Sequence, residues 1–257
     1  MSVKTISSYN VNGIRAAVKK GLVSWLEQTS PDIICFQEMR ASEVEIEASL
    51  PETVYHAYHA VAEKKGYSGV SIFSKEPAIK VEKGLGVEWI DAEGRVILAE
   101  FETIIVVSAY FPSGTTGDVR QDMKMEFLEH MTHYATQLLK RNKPVLICGD
   151  FNICHKEIDI HNPSQQHKTS GFLPEERAWV DEFLNTGFYD AYRVRYPEKK
   201  DTYSWWSYRA GSKSRNKGWR IDYHMISSDL VSRVQDANME KEWDMSDHVP
   251  VTITYSI

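Results

Sequence analysis

Short polar side chains follow an apolar run in the middle of the sequence, and their types are those that perform acid–base chemistry or bind metals. The stretch KPVLICGDFN, residues 143–152, is apolar from Val145 to Cys148, breaks at Gly149 and ends in Asp150 and Asn152. A run this apolar predicts a strand covered on both faces. We therefore expect the carboxylate and the carboxamide at its end to face a functional site.

Groups of the same kind lie at the ends of other predicted strands, or directly before or after them. Any one of them is more often a helix cap, a turn former or a structural histidine. Taken together, they suit a hydrated metal ion, a nucleophilic water molecule and a proton relay. The set is Asn10, Asn12, Glu38, Tyr110, Asp150, Asn152, Asp222, Asp247 and His248.

Hydrophobic periodicity predicts the elements that position these groups. The predicted strands are Val3–Tyr9, Ile33–Gln37, Tyr55–Val61, Gly69–Phe73, Val96–Phe101, Ile104–Tyr110, Val145–Gly149, Ile221–Ile226 and Val249–Tyr255. Helical spacing predicts a first helix through Ile14 and Trp25, a second through Phe127, and a third that opens at Pro174 and stops near Gly187. Short turns between strands, with helices interspersed, predict two packed mixed sheets with helices outside them.

Composition favours one globular domain over residues 1–257. The chain is 42% hydrophobic and 26% charged, has no internal repeat or flexible linker, and is long enough for one large α/β domain. Its start, MSVKTISSYN, lacks the basic and apolar segments of a signal peptide, and no apolar stretch approaches membrane-span length. We expect a monomer without a membrane partner that acts in the cytoplasm, in association with the nucleoid if the cell is bacterial.

Cysteines and charge narrow the functional classes further. Cys35, Cys148 and Cys154 show no CxxC spacing, so we expect them to pack in the core of a reduced protein, and a zinc site is disfavoured. The net charge of −6 does not favour a protein that coats nucleic acid. However, residues 208–220, YRAGSKSRNKGWR, are basic with no acid, which fits either a solvated loop or a loop that contacts phosphates.

Serial motifs of the sequence resemble those of the exonuclease III type of apurinic/apyrimidinic endonucleases, within the endonuclease/exonuclease/phosphatase superfamily. The motifs occur in family order from residue 8 to residue 251. The resemblance implies a DNase I-like fold, a four-layered α/β sandwich, with a divalent metal and hydrolysis of DNA phosphodiesters beside damaged sugars. The motifs are SYNVNGIRA, CFQEMR, YSGVSIFSK, EGRVILAEF, AYFPSG, CGDFN, SGFLPEER, WWSYR, GWRIDY and SDHVPV.

The chemistry of phosphodiester hydrolysis suggests a role for each strand-end group. Asp150 is predicted to activate the attacking water, and Asn152 to hold that water or the phosphate. Asp222 is predicted to keep His248 charged, so that His248 donates to the phosphate, and Tyr110 to contact the phosphate or the leaving oxygen. Magnesium, or manganese, prefers oxygen ligands. The predicted ligands are Glu38, Asn10, Asn12 and Asp247, with Asp150 and Asn152 as further candidates.

The resemblance also implies a double-stranded DNA partner with abasic sites or blocked 3′ ends. Trp205, Trp219 and Ile221 match the wall of a small pocket that takes an extruded base-less sugar, although aromatic residues are more often simply core. The remaining matches to DNA-contacting positions of relatives are Asn162, Lys124, Arg95, Tyr67 and Arg209.

Some positions depart from the family pattern. Gln166 and Thr169 stand where asparagine is usual, His167 is unusual, and Tyr9 stands where tryptophan is common. These departures bear on the balance between incision 5′ to abasic sites, 3′–5′ exonuclease and 3′-phosphatase activity. The alternatives are another phosphoesterase of the superfamily, acting on RNA or inositol phosphates, and an inactive nucleic-acid-binding module. The intact polar set disfavours the inactive module.

Overall fold

The strands of the protein form two six-stranded sheets in a computed structural model that describes residues 3–50 and 54–256. The first sheet has the order β11-β12-β1-β2-β4-β3 and the second has the order β5-β6-β7-β8-β10-β9. The bounds of the strands are β1 Val3–Asn10, β2 Ile33–Gln37, β3 His56–Ala60, β4 Val70–Ser74, β5 Lys80–Lys83, β6 Val96–Glu100, β7 Ile105–Tyr110, β8 Val145–Asp150, β9 Phe188–Asp190, β10 Asp222–Ser227, β11 Val234–Met239 and β12 Val251–Ser256.

Helices pack against both sheets, most of them on the outer faces. Their bounds are α1 Ile14–Lys19, α2 Leu22–Thr29, α3 Glu43–Ser49, α4 Glu88–Ala92, α5 Asp118–Leu138, α6 Pro174–Asn185, α7 Ala191–Arg195 and α8 Ser228–Val231. Among the helices of residues 3–50 and 54–256, none is long and apolar enough to cross a membrane.

Successive side chains of β8 point to opposite faces of the second sheet, and this alternation shows how the sheets and helices are layered. Leu146 and Cys148 point between the two sheets, whereas Val145 and Ile147 point outwards, into the cluster formed with α5 and α6. A third cluster, around Trp25, joins the first sheet to α1, α2 and α3. The predicted four-layered α/β sandwich is therefore confirmed, and Cys35, Cys148 and Cys154 are buried and free as expected.

Two parallel pairs bring the polar strand ends to one edge of the sandwich. In the first sheet, Asn10 at the end of β1 pairs with Gln37 at the end of β2. In the second sheet, Tyr110 of β7 pairs with Asp150 of β8, and Asp150 also pairs with Asp222, the first residue of the antiparallel β10.

Several elements differ from the sequence prediction. The first predicted helix is two helices, because Gly21 adopts a left-handed backbone with φ 105° between them. The short strands β5, β9 and β11 were not predicted, and neither were α3, α4, α7 and α8. Every predicted strand is present. Strand β2 has the predicted bounds, and the ends of the others shift by one or two residues.

Candidate active site

The backbone at the end of β8 is shaped for the groups that follow it. A Cβ at position 149 would overlap the carbonyl of Ala109 on the neighbouring strand, so only glycine fits there. Three non-glycine residues just beyond β1, β2 and β8 adopt left-handed conformations: Asn12 at φ 46°, Glu38 at 56° and Asn152 at 53°. Such conformations are unfavourable for a residue like glutamate and concentrate at functional sites.

Asp150 lies at the centre of the site and is almost completely buried. Its Oδ1 accepts from the backbone N–H of Asn152 at 2.8 Å, and its Oδ2 accepts from the Asn152 amide at 3.2 Å. The amide of Asn10 also donates to Oδ2, at 2.9 Å. Burial, with a smaller contribution from the negative charge of Asp222, raises the pKa of Asp150 to about 7, which suits a base that works near neutral pH.

His248 lies between two carboxylates. Its Nδ1 is 2.9 Å and 3.2 Å from the two oxygens of Asp222, and its Nε2 is 3.7 Å from Oδ2 of Asp150. Burial acts to lower the pKa of His248, but the charges of Asp222 and Asp150 outweigh burial and raise that pKa to about 10. His248 is therefore a cationic donor at neutral pH, oriented by Asp222.

Asp247 and Glu38 supply two further carboxylates to the lining of the site. Asp247 accepts from the amide of Asn12 at 2.9 Å and from the indole of Trp205 at 3.0 Å. Although burial opposes it, the charge of His248 and these two hydrogen bonds lower the pKa of Asp247. Glu38 forms an ion pair with Arg40, a residue that lies within the CFQEMR motif but received no predicted role.

Asn10, a predicted metal ligand, forms hydrogen bonds within the protein through both atoms of its amide. It is completely buried and is not among the residues that line the cleft of the site. Its Oδ1 accepts from the backbone N–H of Asn12 at 2.9 Å, while its Nδ2 donates to Asp150. Asn10 thus links β1 of the first sheet to β8 of the second and orients the Asp150 carboxylate.

Tyr110 completes the row of strand-end groups. Burial raises the pKa of its phenol well above the ordinary value, and the charges of Glu38 and Asp150 add to this effect. The phenol therefore stays a neutral hydrogen-bond donor. The guanidinium of Arg95 lies 4.8 Å from the centre of its ring and donates to its backbone carbonyl at 2.9 Å.

Most of these groups line a cleft of about 420 Å³, whereas Asn10 and Asp222 are not part of its lining. Hydroxyl side chains of two loops also line it, and of these only Thr169 was noted from the sequence. The lining is Asn12, Glu38, Arg40, Tyr110, Ser113, Thr115, Asp150, Asn152, Thr169, Ser170, Trp205, Trp219, Ile221, Asp247 and His248. A larger cleft of about 860 Å³ lies elsewhere, beside β9 and α7, and it contains none of the strand-end groups described above.

Two indole rings form one wall of the cleft. Trp205 and Trp219 are half-buried, pair through their backbones and meet edge to face, with ring centres 6.0 Å apart. Ile221 packs with them on a small apolar cluster that includes Phe172. The three predicted pocket residues are therefore adjacent, and two of them are only partly covered by the protein.

The residues predicted to contact the DNA backbone are not all on the surface. Arg209 is exposed and Tyr67 is half-buried, whereas Asn162 is exposed in a separate cleft of about 510 Å³. Arg95 is 2% exposed and Lys124 is 0% exposed, so neither lies on the surface, where the prediction that both contact the DNA backbone would place it. Their charged groups have protein partners, Glu93 for Arg95 and Glu176 for Lys124.

Of the four positions that depart from the family pattern, one lines the cleft. Thr169 lines the cleft, and His167 packs against Phe172 with ring centres 5.5 Å apart. Gln166 lies in the same loop and is half-buried. Tyr9 is completely buried and packs on Trp25, so that it belongs to the core beneath β1.

The donor set of the cleft fits a hard divalent cation. Oxygen atoms of Glu38, Asp247 and Asn12 line the cleft, and oxygen ligands are those that magnesium prefers. Among the residues that the structure describes, Asp150, Asp222 and His248 also offer ligand atoms within 4.8 Å of one another. Because both ring nitrogens of His248 face carboxylates, this second group is better suited to moving a proton.

Comparison with known proteins agrees with this site. Residues 7–248 match the Endonuclease/Exonuclease/phosphatase family. The chain is 43% identical over 251 residues to the exodeoxyribonuclease of Bacillus subtilis (strain 168), covering 97% of this chain and 98% of that protein.

Solved structures show the same fold. An AP endonuclease from Archaeoglobus fulgidus superposes with a TM-score of 0.91 at 29% identity, over 99% of this chain and 100% of that chain. A 3′ phosphatase from Neisseria bound to product DNA hairpin superposes with a TM-score of 0.92 at 26% identity, over the same shares. The chain therefore belongs to the Endonuclease/Exonuclease/phosphatase family and, within it, to the exonuclease III type of apurinic/apyrimidinic endonucleases.

Proposed function

We propose that the protein is a metal-dependent DNA-repair nuclease that cleaves the phosphodiester 5′ to abasic sites. The observation that carries the proposal is the buried row of Asp150, His248 and Asp222, of which Asp150 and His248 line a cleft together with Trp205 and Trp219. An acid–base pair beside an aromatic wall fits a phosphate flanked by a sugar without a base. Relatives named as an exodeoxyribonuclease and an AP endonuclease support the same chemistry.

Each charged group has a distinct task in this proposal. Asp150, with a pKa of about 7, takes the proton of the attacking water. His248, which is charged at neutral pH, donates to a phosphoryl oxygen, and the neutral phenol of Tyr110 donates to the phosphate or to the leaving oxygen. Asn152 holds the water or the phosphate beside Asp150.

A divalent cation would be held by other groups of the same cleft. Glu38 would be the principal ligand, with Asp247 and Asn12 as its neighbours. Magnesium is the expected ion, with manganese as a substitute, because both accept oxygen ligands. When bound, the ion supplies positive charge that offsets the developing charge of the phosphoryl group.

Further activities on 3′ ends follow from the same site. The structural likeness to a 3′ phosphatase supports 3′-phosphatase and 3′–5′ exonuclease activity as a second function. Hydrolysis of a 3′-terminal phosphate is the same phosphoryl chemistry, except that no nucleotide follows the phosphate. Thr169 lines the cleft, so that it can influence the balance between abasic-site incision, 3′–5′ exonuclease and 3′-phosphatase activity. A monomeric state, a cytoplasmic location and a single domain over residues 1–257 stay predictions.

One incubation series tests the proposal. A labelled duplex with a single abasic analogue, an intact duplex and a duplex with a 3′ phosphate are each incubated with Mg²⁺, with Mn²⁺ and with EDTA. We expect cleavage 5′ to the abasic analogue with either metal and none in EDTA. Internal cleavage of the intact duplex at an equal rate, or hydrolysis of inositol phosphates or RNA in preference to abasic DNA, would replace the proposal with another phosphoesterase activity. Shortening of the intact duplex from its 3′ end is instead the expected exonuclease activity.

A further inference from the structure

A completely buried ion pair links two helices beneath the cleft. Nζ of Lys124 in α5 lies 2.6 Å from Oε1 of Glu176 in the first turn of α6, and both side chains are 0% exposed. Gln121, one turn before Lys124, donates to the same oxygen at 3.0 Å. Removing two charges from water costs several kcal/mol per ion, and a buried pair often adds nothing net to stability. Stability alone therefore does not account for the pair.

The lysine side of the pair holds the turn that carries Asn152. Nζ of Lys124 donates to the backbone carbonyl of Asn152 at 2.9 Å. Asn152 has the left-handed backbone described above, its N–H donates to Asp150, and its amide donates to the carbonyl of Phe111 at 2.9 Å. The ammonium thus fixes the carbonyl of a turn whose N–H fixes the carboxylate of Asp150.

The glutamate side of the pair holds a second loop, which lies behind the aromatic wall. Oε2 of Glu176 accepts from the backbone N–H of Gly171 at 2.6 Å and from that of Leu173 at 3.0 Å. Gly171 presses against Trp219: a Cβ at position 171 would lie 3.0 Å from Cζ3 of that indole and 3.0 Å from the carbonyl oxygen of Asn152. The two loops are therefore in contact with each other as well as with the pair.

We propose that Lys124 and Glu176 form a positioning pair, which fixes the turn with Asn152 and Asp150 relative to the indole of Trp219. The pair would thereby fix the distance between the water held by Asp150 and the extruded sugar held by Trp219. This inference rests on the proposed nuclease function. It assigns Lys124 an action through the protein interior in place of a contact with DNA. A displacement of about 1 Å in a reacting group can cost about 10²-fold in rate, which sets the effect expected when the pair is broken.

The first test separates positioning from DNA contact. Lys124→Met should lower kcat on the abasic-analogue duplex by about 10²-fold, while Kd for the same duplex in EDTA changes less than about twofold. A plot of the logarithm of the DNA association constant against the logarithm of the salt concentration should keep its slope, because no phosphate loses a cationic partner. A phosphate contact would instead weaken binding and lower the slope by about 0.9, and that result would overturn the proposal.

The second test separates positioning from folding stability. Lys124→Met leaves the charge of Glu176 buried without its partner, which is destabilising, so the double variant Lys124→Met/Glu176→Gln removes both charges. The introduced glutamine side chain retains an oxygen for the N–H groups of Gly171 and Leu173, but nothing replaces the donor to Asn152. We expect the double variant to regain thermal stability while kcat stays low. A return of kcat together with stability would reduce the pair to a structural role.

Two further variants complete the design. Arg141→Gln breaks an ion pair just beyond the other end of α5, where Arg141 binds Glu82 at 3.0 Å and 3.1 Å, and it should leave kcat and Kd unchanged. Lys124→Arg keeps a cationic donor and should recover part of kcat. Wild-type protein that fails to cleave the abasic duplex contradicts the proposed function, whereas an active wild type with an equally active Lys124→Met contradicts the positioning pair alone.

Discussion

Replacing Asp222 with asparagine should lower the rate mainly above pH 7, because Asp222 keeps His248 protonated. The carboxylate lies 2.9 Å from Nδ1 of His248, and its charge is the main influence that raises the pKa of that imidazole against burial. The rise from the ordinary 6.5 to about 10 corresponds to roughly 5 kcal/mol in favour of imidazolium, at about 1.36 kcal/mol per pH unit.

The direction follows from the form of His248 that acts. Imidazolium donates to the phosphate, so the wild-type rate is retained until the pH approaches 10 and falls as the proton is lost above it. Without Asp222, the pKa of His248 should fall from about 10 towards the ordinary 6.5, because burial still lowers it while the charges of Asp150 and Asp247 still raise it. A pKa of about 6.5 would leave about 3% of the histidine charged at pH 8, a loss of about 30-fold in rate from protonation alone, and a higher pKa would give a smaller loss. At about pH 6 the loss should be below about twofold.

The assay is single-turnover cleavage of the abasic-analogue duplex between about pH 5.5 and about pH 10, a range that spans both pKa values of His248. The pH–rate profile is measured with Mg²⁺ and with Mn²⁺. If His248 sets the alkaline limb of the profile, that limb lies at the same pH with both metals, whereas the titration of a metal-dependent group moves it. The matched control is Asp181→Asn, which removes a carboxylate 2.9 Å from His155, outside the cleft. A ratio of wild-type to Asp222→Asn rates that is constant with pH would refute this account of His248.

The remaining predictions concern the cation, the base and the wall of the cleft. Glu38→Gln should raise the Mg²⁺ concentration for half-maximal rate at least tenfold, about 1.4 kcal/mol; an unchanged requirement in a metal titration would remove Glu38 as ligand. Asp150→Asn should lower kcat by several orders of magnitude with Kd for the abasic duplex nearly unchanged, and small parallel losses in both would make Asp150 structural. Trp219→Ala should lower cleavage of the abasic duplex more than that of an intact duplex; a lower melting temperature with an unchanged ratio would leave Trp219 a core residue.

The strand ends were predictable because the hydrophobic pattern marks them directly. The apolar run of β8 breaks at Gly149, and the acid behind it can be read from the sequence. Periodicity cannot supply the pairing register that places Tyr110, Asp150 and Asp222 side by side. A single residue of slip would turn each side chain to the other face, so their convergence was predicted from the family resemblance and not from the strands themselves.

The elements that were missed carry little pattern. Strand β9 has three residues, and β11, VQDANM, is largely exposed with a bulge in its pairing. Both are stabilised by a neighbouring strand and by packing, which local propensity does not encode. The Glu176 carboxylate was overlooked for a related reason: PEER marks the start of a helix, and nothing local indicates that the second glutamate turns inwards.

The two buried cations show where reasoning from residue type fails. Lysine and arginine are almost never fully buried unless they are paired, and the partner of Lys124 lies 52 residues away in the chain. Arg95 has a local partner in Glu93, but it also donates to the hydroxyl of Tyr67 at 3.0 Å and stacks on Tyr110. Both cations therefore have carboxylate partners within the protein, and we expect neither to neutralise a phosphate directly. The salt dependence of DNA binding should consequently reflect exposed residues such as Arg209, and be insensitive to substitutions that conserve the fold at Lys124 and Arg95.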